Sequence, residues 1–173
     1  MTRAEPASQA ERMPRTAVVI VASTRAAAGV SPDRTGPVIA RWFADRGFEV
    51  VGPEVVADGD AVATALRRSL EGRPAVIVTT GGTGLSPSDA TPEATAPLLD
   101  REVPGVMEEL RRRGTASTPT AVLSRGLAGV AGSTFLVNLP GSTGGVRDGL
   151  AVLDDVLDHV LDQLAGGDHA PSA

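Results

Sequence analysis

Three short apolar, β-branched runs limit the architectures open to this chain: Thr16–Ala22, Ala75–Thr79 and Thr134–Asn138. Each is too short for a buried helix and lacks polar alternation, so it reads as a strand covered on both faces. Between the first two lie helical spacings, with Val38, Ile39, Trp42 and Phe43 before Gly47, and Val62, Leu66 and Leu70 before Gly72. Phe48–Val51, continued beyond Gly52 and Pro53 by Glu54–Ala57, supplies another strand. The order strand, helix, strand, helix, strand implies parallel pairing with helices on both faces, an α/β fold.

The longest stripe closes the chain: Val146, Leu150, Leu153, Leu157, Val160, Leu161 and Leu164 recur at the spacing of one amphipathic helix. Val103–Arg113 also reads as helical, and Leu123–Ala131, with Gly126, Gly129 and Gly132 in and beside it, reads as a short hairpin. We therefore expect one domain over residues 15–165, flanked by a disordered arm at 1–14 and a disordered tail at 166–173. The arginines near the start raise a transit peptide as an alternative, but Glu5, Pro6, Glu11 and Pro14 favour a plain arm.

Composition narrows the chemistry. The chain has no cysteine, lysine or tyrosine, and its two histidines stand at 159 and 169, outside the strand-loop regions. Thiolate nucleophiles, zinc–thiolate sites, Schiff bases and the lysine of a P-loop are excluded. Asp, Glu, Ser, Thr, Arg and backbone N–H groups remain, a set suited to phosphate chemistry, where positioning and charge neutralisation do most of the catalysis. A net charge of −5 disfavours nucleic acid and anionic membranes as partners. No run of roughly 18 apolar residues is present to span a bilayer, and the expected compartment is the cytosol.

Ligands of parallel sheets bind at the carboxyl ends of the strands, so the loops after Ala22, Ala57, Thr79 and Asn138 are expected to line one site. After the third strand, Gly81, Gly82, Thr83 and Gly84 allow backbone amides to approach an anion closely, although such a cluster also reads as a tight turn. Thr91 reads as the N-cap of a helix with Pro92 at its first position, leaving Asp89 without a structural reason. Asp60 reads as another cap and Asp58 as a free carboxylate. Asp58 and Asp89 together suit Mg²⁺, which takes one or two carboxylates plus phosphates and water. Spacing alone leaves that open. The loop Pro140, Gly141, Ser142 opens onto the last helix, favourable for an anion and equally consistent with a sharp turn.

Thr79–Gly84 followed by Asp89–Glu93, Ser124 and Arg125 with Ala128 and Gly129, Asn138–Ser142, and Asp33–Gly36 together resemble the MogA/MoaB family of molybdopterin adenylyltransferases over roughly Arg15–Leu164. The resemblance implies a three-layer α/β/α sandwich with a mixed, mostly parallel sheet, and a homotrimer. It also implies Mg²⁺-dependent transfer of an adenylyl group from ATP to molybdopterin with release of pyrophosphate, the product passing to a molybdenum-insertion enzyme. Matched residue by residue, the family's functional aspartates fall on Asp58 and Asp89, its nucleotide loop on Gly81, Gly82, Thr83 and Gly84, and its cleft serines on Ser23 and Ser142. This chain departs from the pattern with Thr24 where many members have Asp, Ser88 where many have Arg, and Thr143 where Pro is common; Arg25, Arg34 and Arg125 are candidates to replace the missing cation. Two alternatives stand beside the enzyme: a non-catalytic molybdopterin-binding scaffold of the same fold, and the related domain of metal-insertion or CinA-type proteins.

Overall fold

The computed structural model describes residues 15–166; the expected arm at 1–14 and all but the first residue of the expected tail lie outside them. Six strands form one sheet: β1 (Thr16–Ala22), β2 (Glu49–Val56), β3 (Val76–Thr80), β4 (Arg101–Glu102), β5 (Ala128–Ala131) and β6 (Thr134–Leu139). Their order is β2-β1-β3-β6-β5-β4, with parallel pairing across the first four and antiparallel pairing across the last two junctions. The helices are α1 (Thr24–Ala27), α2 (Gly36–Ala44), α3 (Asp60–Glu71), α4 (Thr91–Thr95), α5 (Pro104–Thr115) and α6 (Thr143–Leu164).

Alternation along β1 divides the core in two. Ala17 and Val19 face a cluster with Ile39 and Phe43 of α2, Met107 and Leu110 of α5, and Leu150, Leu153 and Leu157 of α6. Val18, Ile20 and Ala22 face Val62, Ala65 and Leu66 of α3. Successive strand side chains point to opposite faces, so these runs must be apolar throughout. The result is a three-layer α/β/α sandwich with a mixed, mostly parallel sheet.

The hairpin differs from the expectation. The antiparallel pair is β5 with β6, turning at Gly132, whose φ is +60°, whereas Leu123–Ala131 is a 3₁₀ turn (Pro119–Leu123), an extended link and then β5. Thr134–Leu139 is buried along its whole length between β3 and β5, which is why it reads as a parallel strand from sequence.

Candidate functional site

The carboxyl ends of β1, β2, β3 and β6 do converge, and each loop is tied to its neighbour. Thr24 donates to Asp58 Oδ2 through its amide (2.9 Å) and its hydroxyl (2.7 Å), and the Asp58 amide donates back to Thr24 Oγ1 (3.1 Å). Asp58 is therefore not free, as its sequence position suggested: one oxygen clamps the ends of β1 and β2 together. The other is directed at the glycine loop, where a β-carbon on Gly82 would lie 3.2 Å from Asp58 Oδ1. Asp60 is not a cap either. Gly59 occupies that position with φ of +89°, and Asp60 is the first residue of α3, its charge favourable to the helix dipole.

Gly81 and Gly82 have φ of +91° and +64°, a region that disfavours residues with a β-carbon. Contact adds a second demand: a β-carbon on Gly81 would collide with the Ala22 carbonyl oxygen, and one on Gly82 with Thr91 Oγ1. A β-carbon on Gly141 would lie 3.1 Å from the Gly81 α-carbon, so the β3 and β6 loops pass backbone to backbone. They are joined where the Gly81 amide donates to Leu139 O (3.1 Å) and Thr80 Oγ1 to Pro140 O (2.8 Å). Thr91 does not cap α4, since Ala90 holds that place; its amide donates to Gly82 O (3.0 Å), and its buried Oγ1 has no hydrogen-bond partner among the described residues.

Ser23 and Ser142 cap α1 and α6, their hydroxyl oxygens accepting from the amides of Ala26 (3.2 Å) and Gly145 (3.1 Å). A hydroxyl that accepts in this way keeps its own proton to donate to a ligand. Beneath the loops, Asn138 Nδ2 donates to Thr79 Oγ1 and Thr95 Oγ1 (both 3.0 Å), and its Oδ1 accepts from the Leu127 amide (3.0 Å).

Sequence reasoning missed the role of Arg125. Its Nε donates to Gly84 O (2.9 Å), Nη2 to Asp89 O (2.8 Å), and Nη1 pairs with Glu93. It therefore latches the loop carrying Asp89 and is not a substitute for the arginine absent at Ser88; Arg25 and Arg34 line the same cleft as Asp58 and Ser88. The hydrogen bond from Arg125 holds the Glu93 carboxyl below the usual carboxylate range. A depressed value means that this contribution is present above the ordinary carboxylate pKa and is lost only as pH falls through the lowered one, so the latch persists in mild acid. Arg125→Ala leaves two carbonyls without their donor and should destabilise the fold by about 2 kcal/mol, lowering the melting temperature by roughly 4–8 °C. An unchanged melting temperature would show that the latch contributes nothing.

Two clefts flank these loops. The first, of about 640 Å³, is walled by Leu110, Ala121, Leu123 and Pro140 and also reached by Thr83, Gly84 and Asp148. The second, of about 650 Å³, is bordered by Ser23, Arg25, Arg34, Asp58, Gly81 and Ser88. Gly82, Asp89 and Gly141 line both, so Asp58 and Asp89 border one cleft and Ser142 borders the other. Both volumes suit small organic ligands. Asp89 Oδ2 accepts from the Ser86 amide (3.0 Å). Among the described residues no group of three or more metal-ligating side chains gathers, and no helix is long and apolar enough to cross a membrane.

Comparison with known proteins agrees with this geometry. The family model described as "Probable molybdopterin binding domain" matches residues 18–159. A molybdenum cofactor biosynthesis bifunctional protein of Synechococcus elongatus is 41% identical over 88% of this chain and 48% of its own length. The chain spans about half the length of such bifunctional relatives. A molybdopterin adenylyltransferase of Helicobacter pylori is 33% identical, with 86% of each chain covered. The solved structure of the molybdopterin biosynthesis Mog protein from Mycobacterium ulcerans superposes with a TM-score of 0.84 at 55% identity, covering 87% of this chain and 99% of that one. With most of its length matched and the same layered sheet, the chain belongs to the molybdopterin-binding domain family that includes the MogA and MoaB proteins.

Proposed function

We propose that this chain transfers an adenylyl group from ATP to the terminal phosphate of molybdopterin. A phosphate oxygen of molybdopterin bonds to the α-phosphorus of ATP, and the bond from that phosphorus to the departing pyrophosphate breaks. The observation that carries this reading is the pair of clefts sharing a wall of Gly82, Gly141 and Asp89, which gives two ligands one common boundary at which to react. The names of the adenylyltransferase relatives support it.

In this reading the second cleft takes the triphosphate, where Arg25 and Arg34 supply positive charge and the glycine loop reaches it at Gly82, the Gly81 amide being held by Leu139 O. The first, with its apolar walls, takes the flat pterin. Ser23 and Ser142 donate hydroxyl protons to phosphate oxygens on either side. Approximation of the two phosphates in a fixed geometry is the main catalytic contribution.

The carboxylates fit Mg²⁺. Asp58 has one oxygen tied to Thr24 and one directed at the loop, while Asp89 has one oxygen tied to Ser86, a donor set that leaves most positions of an octahedral ion to phosphate and water. When bound there, the ion supplies neutralisation of phosphate charge. Asp58 and Asp89 would hold it, and the Thr24 and Ser86 amides fix where their carboxylates stand.

The test is ATP-dependent adenylylation of purified molybdopterin, read as pyrophosphate release. Binding of molybdopterin with no pyrophosphate release would favour the scaffold alternative. We further propose a cytosolic homotrimer that hands its product to a molybdenum-insertion enzyme. Val38 and Val51, about half exposed on α2 and on the edge strand β2, offer apolar surface for self-association. Sedimentation equilibrium should return three times the monomer mass; a monomer at micromolar concentration would refute the trimer.

A further inference from the structure

The apolar cleft contains one carboxylate that nothing in the fold requires. Asp148 is the sixth residue of α6, past the first turn where a negative charge gains from the helix dipole. Its ion partner is the adjacent Arg147, 4.0 Å away and 78% exposed, a pairing that contributes little. Yet the Asp148 side chain is only 22% exposed and lines the first cleft, where α6 meets α5. Space is kept open there by Gly114: a β-carbon on it would press to 2.7 Å from Ala121 Cβ and lie 3.9 Å from Asp148 Oδ2. A largely covered carboxylate without a strong partner has acceptor capacity to spare, which a ligand carrying hydrogen-bond donors would use.

Resting on the function proposed above, we propose that Asp148 is the residue that reads the pterin, its two oxygens accepting from the ring N3–H and the 2-amino group. Those donors lie side by side on the aminopyrimidinone edge and match a carboxylate as a bidentate pair. Adenine presents donor and acceptor alternately along its edges and offers no such pair, so the same carboxylate turns ATP's base away from this cleft. Asp148 thus sets which ligand enters which cleft. Leu110, Leu123 and Pro140 supply the faces between which the ring lies, and the hydroxyls of Thr118 and Thr120 are at hand for the 4-oxo group.

The test is titration of the full-length chain with molybdopterin, and separately with ATP and Mg²⁺, for wild type, Asp148→Asn and Asp148→Ala. Either substitution should weaken molybdopterin binding by roughly thirtyfold or more, from loss of the charged acceptor, while ATP affinity and melting temperature stay as in wild type. In turnover, KM for molybdopterin should rise with KM for ATP unchanged. Unaltered molybdopterin affinity in both variants, with an active wild type, would overturn the role of Asp148 and leave the proposed function standing. A wild type that binds ATP but no molybdopterin would overturn both.

Discussion

Asp58→Asn and Asp89→Asn should each lower the rate of pyrophosphate release by at least about a hundredfold, equivalent to about 2.7 kcal/mol of barrier. The geometry makes asparagine an informative replacement. Its amide oxygen can still accept from Thr24 at position 58, or from the Ser86 amide at position 89, so the loop keeps its tether. Charge is what disappears, and with it the proposed hold on a divalent cation. Molybdopterin affinity should survive in Asp58→Asn, because the first cleft does not include Asp58; Asp89 lines both clefts, and its replacement is read by turnover. Asp60→Asn is the control: Asp60 sits in the first turn of α3 and makes no side-chain cap, so its replacement should cost a few tenths of a kcal/mol in stability and leave turnover unchanged. Damage from Asp60→Asn together with a silent Asp58→Asn would reverse the assignment of that loop.

Gly82→Val should abolish measurable ATP binding. The new side chain would have to adopt a φ of +64° and would drive its β-carbon into Thr91 Oγ1, the buried start of α4. The left-handed backbone costs about 1–2 kcal/mol and the overpacking about 1–3, so the melting temperature should fall by roughly 4–20 °C. The loop can escape only by moving its amides away from the phosphates. Far-UV circular dichroism should be retained, since the sheet below does not depend on position 82. Undiminished ATP affinity in a folded Gly82→Val chain would mean that the glycine loop is only a turn.

The layers were legible because the central strands are buried on both faces, leaving Thr16–Ala22 and Thr134–Leu139 as unbroken apolar runs, and because α6 carries its stripe for 22 residues. The edge was not. Arg101–Glu102 is two exposed charged residues, and Ala128–Ala131 is four residues of weak strand preference, so neither carries a period; both are strands through pairing alone. The loops after the parallel strands were placed together by a general rule of such sheets, but the duties within them went astray by one or two positions. Local capping preference points to Asp60 and Thr91 and leaves Asp58 as a free carboxylate at a strand end, whereas Asp58 is set by a threonine 34 residues away. Arg125 shows the same limit, since its partners are backbone oxygens 36 and 41 residues off, which no spacing announces.

Asn138 has a mechanical consequence. One buried amide is bonded at once to β3, to the end of α4 and to the chain entering β5. Those segments cannot drift independently without breaking a bond that no solvent is there to replace. Displacements of the strand, the helix end and the incoming chain are thus coupled through a single side chain, so that the floor under the loops of β3 and β6 moves as one piece.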